Sequence, residues 1–310
     1  MAGGLSDILE RLEVAVAPLQ GEPRELAGGI TNRNYRVTLG GSDYVVRRPG
    51  KDTDLLGIDR TAELLANETA AALGIAPPVA AIVGDCLVTR FVSCRSLAPD
   101  ELVGAVGEIA LALRAFHDSH VQLPTRFSVP VLLDDYAAIA QGRGASLPAS
   151  YDVARAAAGQ IAAVLRDGDE RPCHNDLLAG NLIRADEDGR TLLVDWEYAG
   201  MGDPRFDLGN LSVNNEFDEA TDERLLHTYY GAQPSDPQRA ALKLMRVLSD
   251  AREGAWGVVQ GAISELDFDF AGYAQEHLER LSDAVGQPEF AEWLASAADG
   301  RGTGSRSGDR

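Results

Sequence analysis

The stretch His174-Asn175-Asp176-Leu177-Leu178-Ala179-Gly180-Asn181, answered after a short hairpin by Asp195-Trp196-Glu197, decides how the rest of the chain is read. Asp176 and Asn181 stand five positions apart on one tight loop, and the hairpin returns Asp195 beside them. That gathers one carboxylate able to accept a proton and two hard oxygen ligands able to hold a divalent cation such as Mg2+. Phosphoryl transfer from a nucleotide needs this set and little covalent work from the protein, because positioning and charge neutralisation supply most of the effect.

The hairpin is written in the flanking residues. Asn181-Leu182-Ile183 and Thr191-Leu192-Leu193-Val194 are β-rich runs separated by the polar turn Asp186-Glu187-Asp188-Gly189. Upstream, Leu102 to His117 and Ala154 to Leu165 are rich in alanine and leucine and favour helix. Downstream of Pro204 a helical pattern runs to about Leu294. The N-terminal part differs. Ile8, Leu12 and Val16 keep helical spacing behind Ser6 and stop at Pro18. Gly28 to Val37 and Tyr44 to Arg48 then form two β runs joined at Gly40-Gly41. Thr61 to Leu73 reads as a helix closed by Gly74, and Ile82-Val83 and Leu87 to Val92 as strands around Gly84-Asp85. The expectation is an α+β chain in two lobes: a small β-rich one over residues 1–93 with one internal helix, and a larger, mainly helical one over 94–298. Asp299 to Arg310 holds almost nothing to bury and is expected to be disordered.

Composition narrows the partners. The 310 residues carry 28 basic and 48 acidic side chains, a formal net charge of −20, and 45% are apolar, enough for a real core. That excess of negative charge repels a phosphate backbone, which argues against nucleic acid and against an anionic membrane surface. Lys51 and Lys243 are the only lysines, so chemistry that ordinarily uses lysine falls to one of these or to an arginine. Cys86, Cys94 and Cys173 are odd in number and far apart, which suits reduced thiols in the cytosol. Asp7, Glu10, Arg11 and Glu13 interrupt any signal-peptide core, and no apolar run approaches membrane-spanning length. The sequence therefore predicts a soluble, cytoplasmic protein.

Three further stretches join the central loop: Gly28-Gly29-Ile30-Thr31-Asn32, Val46-Arg47-Arg48-Pro49-Gly50, and Leu266-Asp267-Phe268-Asp269-Phe270-Ala271-Gly272-Tyr273. With H-N-D-L-L-x-x-N and V-D-W-E-Y-A they stand in order, at plausible spacing, from about Gly28 to about Leu281. The set resembles kinases of the aminoglycoside phosphotransferase and protein-kinase-like fold, with the strongest likeness to the choline/ethanolamine kinase family. The resemblance implies a bilobal protein-kinase-like fold with ATP and Mg2+ as cofactors. It also implies transfer of the γ-phosphoryl group to the hydroxyl of a small cationic amino alcohol, choline or ethanolamine.

Residue by residue, the resemblance makes Asp176 the catalytic base, in contact with the substrate, and Asn181 and Asp195 the Mg2+ ligands. Gly29, Thr31 and Asn32 belong to its nucleotide loop. Arg47 holds the phosphates, with Glu68 as the partner that orients it and Arg48 or Lys51 as alternatives. Arg90, Phe91 and Val92 form the hinge that meets adenine. Glu197, Trp256, Phe270 and Tyr273 fall on the acceptor side, where a cation over an aromatic face gains about 0.5–2 kcal/mol when desolvated. Asp207 anchors the catalytic loop from behind. Ala199-Gly200-Met201-Gly202-Asp203-Pro204 looks more like the aminoglycoside branch. An aminoglycoside, thiamine or another cationic alcohol therefore stays open as acceptor, and so does a nucleotide-binding pseudokinase.

Three expectations come from the residues alone. Neighbouring strand residues face opposite ways, so if Arg47 points into a cleft with Val45, Arg48 points out. His174, two positions before Asp176, reads as a packed residue that holds the loop. Trp256, Phe270 and Tyr273 suit a core as well as a cation box.

Overall fold

The computed structural model describes residues 5–26, 32–50, 53–165 and 169–299, and the counts below refer to these. Helix α1 (Leu5–Ala15) buries Ile8 and Leu12 on the sheet that follows. That sheet holds β1 (Leu19–Leu26), β2 (Arg33–Leu39), β3 (Ser42–Arg48), β4 (Val79–Val83) and β5 (Cys86–Arg90), antiparallel in the order β1-β2-β3-β5-β4. Alternation decides its two faces. Tyr35, Val37, Leu39, Tyr44 and Val46 pack under α1, which leaves Val45 and Arg47 on the opposite face. The β2–β3 turn has Gly40 and Gly41 at φ of 56° and 80°, the backbone that a two-residue hairpin turn demands.

Between β3 and β4 lies α2 (Arg60–Ala72), capped by Asp59, whose carboxylate accepts from Thr61 N and Ala62 N at 2.8 Å each. Its stripe of Ala62, Ala66 and Ala70 is wholly buried. The hairpin expected from the sequence is present as β8 (Leu182–Ala185) and β9 (Thr191–Leu193), and strand β6 (Cys94–Ser96), which the sequence reading did not contain, pairs with β8 and not with the N-terminal sheet. A two-stranded ladder joins β7 (Arg171–Cys173) to β10 (Gly200–Gly202).

The remainder is helical: α3 (Pro99–His117), α4 (Val129–Gly142), α5 (Ser150–Val164), α6 (Pro204–Asn214), α7 (Glu219–Tyr230), α8 (Asp236–Ile263), α9 (Phe270–Gly286) and α10 (Pro288–Asp299). The 28-residue α8 runs through the largest core cluster, in which α4, α5, α9 and α10 also bury residues. Its contact with α9 is close because Gly257 faces Ala274: a Cβ there would stand 2.9 Å from the Ala274 Cβ. The architecture is thus α+β, a small antiparallel sheet followed by a mainly helical body, as expected. Strand β1 and helix α4 are additions that the sequence reading did not contain. Of the stretch expected to be disordered, Asp299 closes α10 and the rest lies outside the described residues. No described helix is long and apolar enough to cross a membrane.

Candidate active site

Strand β7 delivers the chain into the loop His174–Asn181, and its ladder with β10 fixes where that loop starts, Cys173 pairing with Gly200. The loop is held from behind by α6. Asp207 accepts from His174 N at 2.8 Å, Asn175 N at 2.7 Å and the His117 ring at 2.9 Å. Burial works against this carboxylate, yet the His117 bond and the backbone donors hold it below its ordinary 3.8. One turn on, Asn210 accepts from Leu177 N and donates to Ser249 of α8 at 2.9 Å, while Asn215 donates to Leu177 O at 3.1 Å. Asp207 therefore sits where the anchoring role requires.

Two non-glycine residues of the site are left-handed: Asn175 at φ 67° and Asp195 at φ 68°. Each costs on the order of 1–3 kcal/mol and persists only where surroundings over-determine it. For Asn175 the surroundings are visible: its side-chain amide donates to Tyr198 O at 3.0 Å. Burial lowers the His174 ring to about 4, so it is neutral near pH 7. It donates from Nε2 to Val194 O at 3.0 Å and accepts the Asp176 N–H on Nδ1 at 3.2 Å. His174 is a brace between the two halves of the site, as its position in the sequence suggested.

Asp176, Asn181 and Asp195 come together. Asn181 Nδ2 donates to Asp176 Oδ2 at 3.0 Å and to Asp176 O at 2.8 Å, and Val194 N donates to Asn181 O at 3.0 Å, which sets Asp195 next to it. Asp195 is paired with Arg47, which leaves β3 on the face expected. Arg47 also meets Glu197 at 2.8 Å and Glu63. Arg48 lies on the other face of the strand, and Lys51 lies outside the described residues.

Here the structure corrects the sequence reading. The α2 carboxylate against Arg47 is Glu63, buried and also held by Arg60 at 2.6 Å, whereas Glu68 is exposed. Five helical steps turn the chain about 140° beyond a full circle, so the two glutamates cannot share a face. Glu197 is a second correction. Expected beside the acceptor, it is buried and turned to Arg47, to Arg60 at 3.7 Å and to the Asn32 amide at 3.2 Å.

Among the described residues, five carboxylates in this network (Glu63, Asp176, Asp195, Glu197 and Glu253) face three guanidinium groups (Arg47, Arg60 and Arg252). That is a formal excess of two negative charges in buried surroundings. Burial, with the neighbouring carboxylates, pushes Asp176 and Asp195 well up, against the pull of Arg252 and Arg47 respectively. A divalent cation relieves that excess, and the Asp195 carboxylate and Asn181 amide are the hard oxygen donors that suit Mg2+. The residues fit the ion.

The remaining positions divide. Trp256 lies 5.7 Å from Phe270 and 5.5 Å from Tyr273, ring centre to ring centre, in one edge-on cluster. Trp256 Nε1 donates to Tyr198 Oη at 2.9 Å, and Tyr273 Oη to Glu253 at 2.8 Å. The carboxylate at this cluster is therefore Glu253, not Glu197. Arg90, Phe91 and Val92 link the N-terminal sheet to β6. Arg90 N is committed to Pro78 O and Phe91 N to Asp43 O, while Arg36 stacks 4.0 Å over the Phe91 ring. Asn32 is buried; Gly29 and Thr31 lie outside the described residues.

Sequence reasoning missed Glu63, Arg60, Asn210, Arg252 and Glu253. The last two stand in Val247 to Val259, a stretch that also carries Ser249 and Asp250, so the sequence alone did not mark them as enclosed.

Known proteins similar to this chain bear on its family and fold. Residues 22–243 match the phosphotransferase enzyme family. Protein LicA of Haemophilus influenzae is 28% identical over 214 residues, 67% of this chain and 62% of its own length, so the chain spans a little under two thirds of that relative. Probable choline kinase 1 of Arabidopsis thaliana is 25% identical, with 90% of this chain and 88% of that protein covered. A crystal structure of a choline/ethanolamine kinase family protein from Mesorhizobium loti superposes with a TM-score of 0.79 at 30% identity, covering 94% of this chain and 98% of that one. The chain belongs to the phosphotransferase enzyme family, on its choline/ethanolamine kinase side.

Proposed function

We propose that the protein transfers the γ-phosphoryl group of ATP, with Mg2+, to the hydroxyl of a small amino alcohol of the choline or ethanolamine type. The observation that carries this reading is the meeting of Asp176, Asn181, Asp195 and Arg47 in one partly buried network with surplus negative charge. Asp176 accepts the proton of the acceptor hydroxyl, and its raised affinity for a proton suits a general base working near neutral pH. Asn181 and Asp195 hold the metal, and Arg47 steadies the phosphates as a fixed cation where a lysine is not at hand. Held by Asn181 and Asp195, a bound Mg2+ would supply neutralisation of the charge that develops in the transfer. The lobe over residues 1–93 supplies the nucleotide side, including Asn32 and the segment Arg90 to Val92. Glu253, Trp256, Phe270 and Tyr273 supply the acceptor side.

The test is release of ADP by purified protein with ATP and Mg2+ across choline, ethanolamine, thiamine and an aminoglycoside. One of the first two is expected to be the best acceptor, and Asp176→Asn to lose about 10²–10⁴-fold in kcat while still binding ADP and Mg2+. Undiminished turnover in that variant refutes the assignment of the base. Tight nucleotide binding with no transfer to any acceptor refutes the enzyme.

A further inference from the structure

Arg252 is fully enclosed in α8, with 2% of its surface exposed. Its Nη1 reaches Asp176 Oδ1 at 3.1 Å and Glu253 Oε1 at 2.7 Å, and its guanidinium carbon lies 4.3 Å from the centre of the Tyr198 ring. Its Nε and Nη2 are buried with no hydrogen-bond partner. A buried cation with two of its three nitrogens unmatched is a burden on stability, and a buried ion pair is poor evidence of a stabilising one. Packing alone favours an apolar side chain here, since Val247, Leu248, Ala251, Ala255 and Val259 of the same helix all sit in the core. A costly group kept inside a core calls for an explanation at the group it touches.

That group is Asp176. Asn181 holds Oδ2 and Arg252 holds Oδ1, so the carboxylate is gripped at both oxygens and its plane is fixed. Arg252 is fixed in turn: Glu253 takes Nη1, Tyr198 covers one face of the guanidinium, and the second oxygen of Glu253 accepts from Tyr273 Oη at 2.8 Å. We propose that Arg252 is a positioning residue of the transfer reaction, one that sets the orientation of the Asp176 carboxylate toward the acceptor hydroxyl, with Glu253 and Tyr273 as its supports. The proposal rests on Asp176 being the base. It goes further in assigning the residue that aims it, which stands 76 positions away on helix α8. The stacked plane is the point: the guanidinium lies against Tyr198 and reaches Asp176 through Nη1 alone, whereas a lysine keeps the charge but presents a rotating ammonium in place of a fixed plane.

The experiment is a double-mutant cycle on the full chain with ATP, Mg2+ and the best acceptor. Arg252→Lys is expected to lower kcat by about 10–100-fold, the scale of a small misplacement of a catalytic group. KM for ATP and the affinity for ADP with Mg2+ stay within about twofold, because no nucleotide contact changes. In an Asp176→Asn background the same substitution costs less than about twofold, because a residue that acts only through Asp176 has nothing left to orient. Equal losses in both backgrounds, or wild-type kcat in folded Arg252→Lys, overturn the proposal. If Arg252→Lys does not fold, Glu253→Gln carries the same cycle: its kcat loss must vanish in the Asp176→Asn background, and persistence there overturns it equally. An Asp176→Asn protein as active as the wild type is a separate result, and it sinks the assignment of the base instead.

Discussion

Replacing Glu63 with glutamine separates the two accounts of how Arg47 is held. Glu63 is 2% exposed and pairs with two guanidinium groups, Arg47 through one oxygen and Arg60 through the other. Glutamine keeps the shape and one acceptor but removes the charge, and a charge-assisted bond contributes about 1.5–3 kcal/mol. Breaking a buried pair outright costs roughly 3–5 kcal/mol. Arg47 retains Asp195 and Glu197, however, so the expected loss is smaller, about 2–3 kcal/mol. For a chain of this size that is roughly 3–5 °C in melting temperature. Loosening Arg47 by half that energy weakens nucleotide binding about tenfold. Glu68→Gln, on the exposed face of α2, stays within about 0.5 kcal/mol of wild type and leaves nucleotide affinity unchanged. Scanning calorimetry and titration with a fluorescent ATP analogue read both quantities. A silent Glu63→Gln beside a weakened Glu68→Gln refutes the structural account of the cleft and restores the reading from sequence.

Three other outcomes follow from the site. Asp176 and Asp195 are raised by burial, so the folded chain binds more protons than the unfolded one and their contribution to stability falls as pH rises above the ordinary 3.8. Mg2+ binds the charged carboxylates, so the melting-temperature gain from saturating Mg2+ should grow between about pH 5.5 and pH 8; a gain independent of pH contradicts the metal assignment. Asp207 is held below 3.8, so its contribution is complete above that value and is lost as pH falls through the depressed one. Asp207→Asn should therefore cost about 3–5 kcal/mol at neutral pH, with the gap to wild type closing in acid, as followed by thermal melting at a series of pH values. Gly257→Val forces α9 away from α8 at Ala274, at roughly 1–3 kcal/mol for overpacking. Because Tyr273 and Phe270 ride on α9, KM for the acceptor should rise while ADP affinity holds; steady-state kinetics with a parallel binding titration decides it.

What the sequence could disclose follows from how far apart the interacting residues lie along it. The loop from His174 to Asn181 and the hairpin that returns Asp195 are local, so spacing alone placed them. The hairpin at Gly40-Gly41 was legible because both turn residues need a backbone that glycine adopts freely. Strand β1 was not legible. It contains Gly21 and Pro23, its burial pattern shows no clean alternation, and it owes its place to the ladder with β2 rather than to an apolar face. Helical spacing already sets Glu68 off the packed side of α2. The buried stripe Ala62, Ala66 and Ala70 marks the packed side of α2, Glu63 borders that stripe, and Glu68 does not.

Glu197 and Glu253 show a deeper limit. Glu197 stands between Trp196 and Tyr198, and which way it turns depends on the left-handed conformation at Asp195, which nothing in a non-glycine residue announces. Arg252 and Glu253 lie on a helix whose burial is set by the helices packed on it, α6 among them, so their enclosure is a property of the assembled body and not of their neighbours in the chain. On a surface helix the same pair is an ordinary solvated face of little energetic consequence. Enclosed, with Asp176 on one side and the aromatic cluster on the other, it is a charge fixed in place by its surroundings. Motif matching stops at residues that recur in the chain's own order. The groups that aim those residues are chosen by packing, and a functional reading of this chain gains most where a charge has been kept inside a core that had no need of it.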